Sequence, residues 1–77
     1  MVTIKLFGSL RLKSGCKGLE ADVSTVKEAC QALADSTTLQ MKELKNCVVM
    51  VNGKQSKFSS KIEDGSEVVF LAPAGGG

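Results

Sequence analysis

Polar and apolar residues alternate from the start of the chain. Val2, Ile4 and Leu6 share one face of residues 2–7, the period-two pattern of a half-buried strand. Gly8-Ser9 ends or bends it, Gly15 and Gly18 frame a turn, and residues 19–23 are expected to return as a second strand. The period then changes. Thr25 is a good N-cap with Glu28 three residues on, and Val26, Ala29, Cys30, Leu33 and Ala34 follow at helical spacing. Here the Thr25 hydroxyl accepts from the Glu28 N–H while the Glu28 carboxylate reaches back. The polar run 35–38 stops the helix, and residues 39–44 fit either a short helical turn or an irregular crossover.

The second half reads as strands again. Val48-Val49-Met50-Val51 is continuously apolar, and Asn52-Gly53 supplies the two positive φ angles of a type I′ turn into a short strand around Gln55. Residues 59–64 read as loop with a helical turn around Ile62. Asp64-Gly65 makes a second turn, and residues 67–71 form the last strand. The order strand, strand, helix, strand, short strand, strand suits an α+β fold in which one main helix crosses a mixed sheet. With the first and last strands parallel neighbours, this is a β-grasp, the ubiquitin-like architecture. It is expected over residues 1–71, followed by a flexible tail over 72–77.

Composition removes several classes of function. The 77 residues allow one compact domain, and a hydrophobic share of 43% is that of a globular chain. A net charge of +2, with Trp and Tyr absent, offers neither the field nor the stacking platforms of a nucleic-acid binder. Phe7, Phe58 and Phe70 fall at strand-like positions where packing is the expected use. No apolar run is long enough for a membrane helix, and no signal peptide precedes the first strand, so the cytoplasm is the expected compartment. Cys16, Cys30 and Cys47 are widely spaced in a chain without His, which leaves out the common zinc patterns and any His-dependent triad. They read as small core hydrophobes in a reducing compartment, not as catalytic thiols. Lys42, Lys45, Lys54, Lys57 and Lys61 read as a solvated surface, or as a basic face for an acidic partner.

Two features point outward. Val48 to Val51 and Val68 to Leu71 are apolar on both strand faces, yet only one amphipathic helix is available to cover them. Either residues 54–64 curl over the second face or an apolar patch is left for a protein contact. The other feature is the ending. Pro73 halts sheet pairing, and residues 72–77 could extend roughly 20 Å. Glycines let such a tail enter a channel too narrow for side chains. No metal cluster, paired carboxylates or phosphate-binding loop accompanies it, so no self-contained active site is expected and no bound cofactor.

Ile4-Lys5-Leu6-Phe7-Gly8-Ser9-Leu10-Arg11, Thr25-Val26, Val51-Asn52 and Asp64-Gly65-Ser66-Glu67-Val68-Val69-Phe70 together resemble the MoaD family, the small subunit of molybdopterin synthase. The ending Leu71-Ala72-Pro73-Ala74-Gly75-Gly76-Gly77 matches its pattern most specifically, with Ala72 in place of the first of two prolines and Gly75 in a variable position. The resemblance implies a sulfur carrier. A ubiquitin-activating-type adenylyltransferase similar to MoeB would spend ATP to adenylate Gly77, which is then converted to a thiocarboxylate. Gly75 and Gly76 would enter the active site of a MoaE-like large subunit, where sulfur passes to the precyclic pterin phosphate, precursor Z. Phe70, Leu71 and Pro73 would contact the partner. The thiamine-pathway carrier ThiS and ubiquitin-related modifiers share the fold and the glycine ending, so thiamine or tRNA thiolation and conjugation to lysine are the alternative destinations. A β-grasp adaptor with an idle tail is a third.

Overall fold

The computed structural model describes residues 1–72. Their elements are β1 (Val2–Phe7), α1 (Ser9–Ser14), β2 (Gly18–Ala21), α2 (Val26–Ser36), α3 (Met41–Lys45), β3 (Val48–Val51), β4 (Lys54–Ser56) and β5 (Glu67–Leu71). The five strands lie in the order β2-β1-β5-β3-β4. β1 and β5 run parallel at the centre, from Thr3 opposite Glu67 to Phe7 opposite Leu71, and the other pairings are antiparallel. This is the expected mixed-sheet β-grasp.

One face of the sheet carries Val2, Ile4, Leu6, Val49, Val68 and Phe70, which α2 covers with Val26, Ala29, Cys30 and Leu33 to make one buried cluster. The i, i+3, i+4, i+7 spacing of those helix positions is the apolar stripe read from the sequence. Ala34, at the edge of that stripe, is only half-buried. The Thr25 hydroxyl accepts from the Glu28 N–H at 3.1 Å. The Glu28 carboxylate reaches back one residue beyond the cap, taking the Ser24 N–H at 2.7 Å and hydroxyl at 2.9 Å.

Two local expectations need correction, and one left open between two alternatives is decided for the helical turn. The loop between β1 and β2 contains α1, a six-residue helix with a single buried position, Leu10, and no side-chain cap. Too short for a period and lacking a cap signal, it left no pattern to read. Residues 39–44 resolve into a buried Leu39 followed by α3, whose N-cap is Gln40, with the Gln40 N–H donating to Glu43 at 2.9 Å. Around Ile62 there is no helical turn. The chain there makes an isolated bridge from Lys61 to Thr25, and Ile62 is buried in the core.

The hairpin β3–β4 turns through Asn52 (φ 51°) and Gly53 (φ 84°), as a type I′ turn requires. Asn52 has a second task. Its side-chain oxygen accepts from the Glu67 N–H at 2.9 Å and its amide donates to the buried Ser66 hydroxyl at 3.1 Å, tying the turn to the start of β5. At β2, Gly18 (φ 155°) is pressed against β1: a Cβ there would stand 2.1 Å from the Ile4 carbonyl oxygen.

Replacing Gly18 with Ala forces backbone apart in the β1–β2 pairing and should cost about 3 kcal/mol or more. Gly53→Ala meets nothing within 4 Å and carries only the strain of its positive φ, about 1 kcal/mol. Urea unfolding of both variants checks this ordering, and equal losses would contradict it.

Candidate functional site

The parallel β1–β5 pair puts the C-terminal ends of both strands at one end of the sheet. Its last register pair is Phe7 opposite Leu71. The next residues are Gly8, which opens α1, and Ala72, which is half-buried against the core cluster. A Cβ on Gly8 would come within 4.0 Å of the Ala72 Cβ. The root of the tail is therefore held beside the β1–α1 corner. Pro73, Gly75, Gly76 and Gly77 lie outside the described residues.

The other face of the sheet is apolar near this root. Register places Val48, Leu71 and Phe7 in one row across β3, β5 and β1, and Met50, Val69 and Lys5 in the next. Phe7 is 43% exposed, and Val48, Met50, Val69 and Leu71 are half-buried. The segment after β4 does not curl over this face: it packs Phe58 against the core and buries Ile62 within it. Of the two outcomes considered from sequence, the described residues show the uncovered patch. Beside it, Lys5 pairs with Glu67 at 2.9 Å across β1 and β5.

Two aromatic assignments change. Phe70, expected to contact a partner, has no exposed surface and sits in the core opposite Leu6. In a strand the side chains alternate, so an outward Leu71 dictates an inward Phe70. Phe70 can only fix the strand from which the tail departs. Phe7, expected to pack internally, stands on the outer face next to Leu71 and is the site residue that sequence reasoning missed. The signal was available: once Val2, Ile4 and Leu6 point inward, Phe7 must point outward.

The cysteines fit the structural reading. Cys30 is fully buried, and loss of hydration pushes its thiol up to about 11, with the neighbouring Cys47 adding to the rise. Burial also raises Cys47, whose thiol donates to the Glu43 carbonyl at 3.2 Å. All three cysteines are free. Among the described residues no group of His, Cys, Asp or Glu could hold a metal ion. Lys42, Lys45, Lys54, Lys57 and Lys61 are exposed, and Lys45 lies over the Phe58 ring at 5.3 Å. Among the described residues no helix is long and apolar enough to cross a membrane.

What the outer face and tail root amount to becomes clearer by comparison. The model of the ThiS family matches residues 4–77, nearly the whole chain and its glycine ending included. The chain belongs to the ThiS family. Solved structures agree on the fold of this ThiS-family protein. SAMP1 from Haloferax volcanii is 24% identical with a TM-score of 0.83, the match covering 99% of this chain and 98% of that one. The Amycolatopsis orientalis BexX/CysO complex gives 22% and 0.76, covering all of both chains. A putative molybdopterin converting factor subunit 1 from Pyrococcus furiosus gives 19% and 0.76, covering 95% and 97%. No curated protein matches the chain by sequence.

The raised Cys30 pKa has a consequence for stability. Folding holds the thiol protonated, so its contribution is complete below the ordinary thiol value of 9.0 and is lost as pH rises through about 11. Urea unfolding at pH 8 and pH 11 should show a larger alkaline loss for the wild type than for Cys30→Val, and parallel losses would refute the assignment.

Proposed function

We propose that this ThiS-family protein is the sulfur carrier subunit of a molybdopterin synthase, with the Gly77 carboxyl as the carrier group. The observation that carries the reading is the family match extending through the Gly76-Gly77 ending, on a fold whose outer apolar face adjoins the root of that ending. A carboxylate resists attack because oxide is a poor leaving group. A ubiquitin-activating-type adenylyltransferase, similar to MoeB, joins the Gly77 oxygen to the α-phosphorus of ATP and releases pyrophosphate. A sulfide-level sulfur nucleophile then attacks the acyl carbon, AMP departs with the electrons of the C–O bond, and Gly77 becomes a thiocarboxylate. No electron balance is disturbed. In a MoaE-like large subunit, the sulfur passes to precursor Z and water returns Gly77 to the carboxylate.

The protein's own part is presentation. Gly75 and Gly76 give clearance in a narrow channel, Pro73 sets the direction of approach, and Leu71 with Phe7, Val48, Met50 and Val69 supplies the docking surface. Ordering the tail costs about 1–2 kcal/mol per residue, so burial of the outer face on the partner is needed to offset it. Two structural neighbours support partnership of this kind: the BexX/CysO complex, and the complex of subunits 1 and 2 of molybdopterin-converting factor from Helicobacter pylori (19% identical, TM-score 0.68).

A second reading is favoured by other neighbours, which include a small archaeal modifier protein from Methanosarcina acetivorans and Urm1 from Trypanosoma brucei. The same activated Gly77 would then pass to a lysine. Intact-mass measurement after co-expression with the activating enzyme separates the two. A sulfur-for-oxygen shift confined to Gly77 is expected, and a ladder of conjugates without that shift would replace the carrier by the modifier. Reconstitution with a large subunit and precursor Z should yield molybdopterin and stop on deletion of Gly77. Phe7→Ser should leave the unfolding midpoint nearly unchanged while weakening large-subunit binding roughly tenfold.

A further inference from the structure

Leu12 is the most exposed large hydrophobic among the described residues, at 86%, and no packing among them explains it. It projects from α1, whose other leucine, Leu10, is buried beneath the helix. Along the chain around it the charge is one-sided. Arg11, Lys13 and Lys17 lie within the stretch from Gly8 to Leu19, which contains no acidic residue. Lys13 is paired with Glu43 of α3, which fixes the helix in place, and the Thr38 hydroxyl donates to the Lys13 carbonyl at 3.4 Å. Arg11 and Lys17 have no ion-pair partner among the described residues. The cations of the last turn also complement the helix C-terminus. That accounts for the charge but not for a leucine set in water between two of them.

Position gives these residues a use. α1 is capped at its start by Gly8, one residue after Phe7 of the outer apolar face and against Ala72 at the tail root. Any protein that engulfs the tail must bring the rim of its channel to this corner. We propose that α1 is a second docking arm that reads that rim: Leu12 inserts into an apolar recess, and Arg11 and Lys17 face an acidic surface around it. The partner is therefore a protein whose tail-channel mouth is acidic and carries a pocket for one aliphatic side chain. The inference rests on the tail being bound and activated, and it adds the surface that identifies the correct enzyme before the tail is threaded. Apolar anchors ringed by complementary charge divide the labour in this way, the anchor setting residence time and the charges the encounter rate.

The probe is the ubiquitin-activating-type adenylyltransferase from the same genome, assayed by ATP–pyrophosphate exchange with the full chain as substrate. Leu12→Ser together with Arg11→Glu should raise KM for the carrier roughly tenfold with kcat within twofold, because the arm aids binding and not chemistry. Leu12 is solvent-exposed, so the Leu12→Ser variant keeps its unfolding midpoint and should by itself raise KM severalfold. Raising salt should weaken wild-type binding more than that of Arg11→Glu. Unchanged KM in both variants, with exchange abolished by deletion of Gly77, would overturn the docking arm and leave the carrier reading intact. Absence of exchange with the wild-type chain would overturn both.

Discussion

The parallel pairing of β1 with β5 is the contact on which the rest of the molecule depends. It joins residues more than sixty positions apart in sequence, so every other element must be in place around it. On its inner side Ile4, Leu6, Val68 and Phe70 form the floor on which α2 packs. On its outer side the same register lays Phe7 beside Leu71 and Lys5 beside Val69. A slip of one residue would turn Leu71 inward and Phe70 into water, removing the core and the outer apolar rows together. Both faces of the sheet depend on one set of backbone hydrogen bonds.

The same pairing fixes the root of the glycine ending at one end of this small domain. Under the proposed function the reactive carboxyl is that of Gly77, and the chemistry is left to partners. What the fold supplies is a rigid root and an apolar face next to it. The cysteines remain spectators, with Cys30 kept protonated in the core and Cys47 half-buried and bonded to backbone. A reactive thiol near a thiocarboxylate would invite acyl transfer to the wrong sulfur, and burial removes that competitor for Cys30.

Much of this was legible in the sequence because the signals were strong and local. The alternation of Val2, Ile4 and Leu6, the Thr25–Glu28 capping pair and the Asn52-Gly53 turn each name a conformation with a mechanism behind it. α1 was not legible and α3 only as one of two alternatives, since helices of six and five residues with one buried position each are held by tertiary contacts and not by propensity. The glycine ending is plain in the residues themselves and in the family they resemble, whereas the outer face beside its root was only half-read. Phe70 was assigned to the surface because it neighbours the tail, although strict alternation with Leu71 puts it inside. Phe7 was assigned to packing by residue type, although the face it occupies is fixed by Leu6.

The opposite end of the β1–β5 pair is closed by a different contact. The Met1 ammonium pairs with Asp64, and the Gly65 N–H donates to the Met1 carbonyl at 3.0 Å. Met1 and Ala72 thus lie at opposite ends of β5, separated by about 17 Å at 3.3 Å per residue. An affinity handle or surface tether joined to the amino end would sit on the far side of the domain from Ala72. The protein can be anchored there in an orientation that leaves the Phe7–Leu71 end of the sheet open to other proteins.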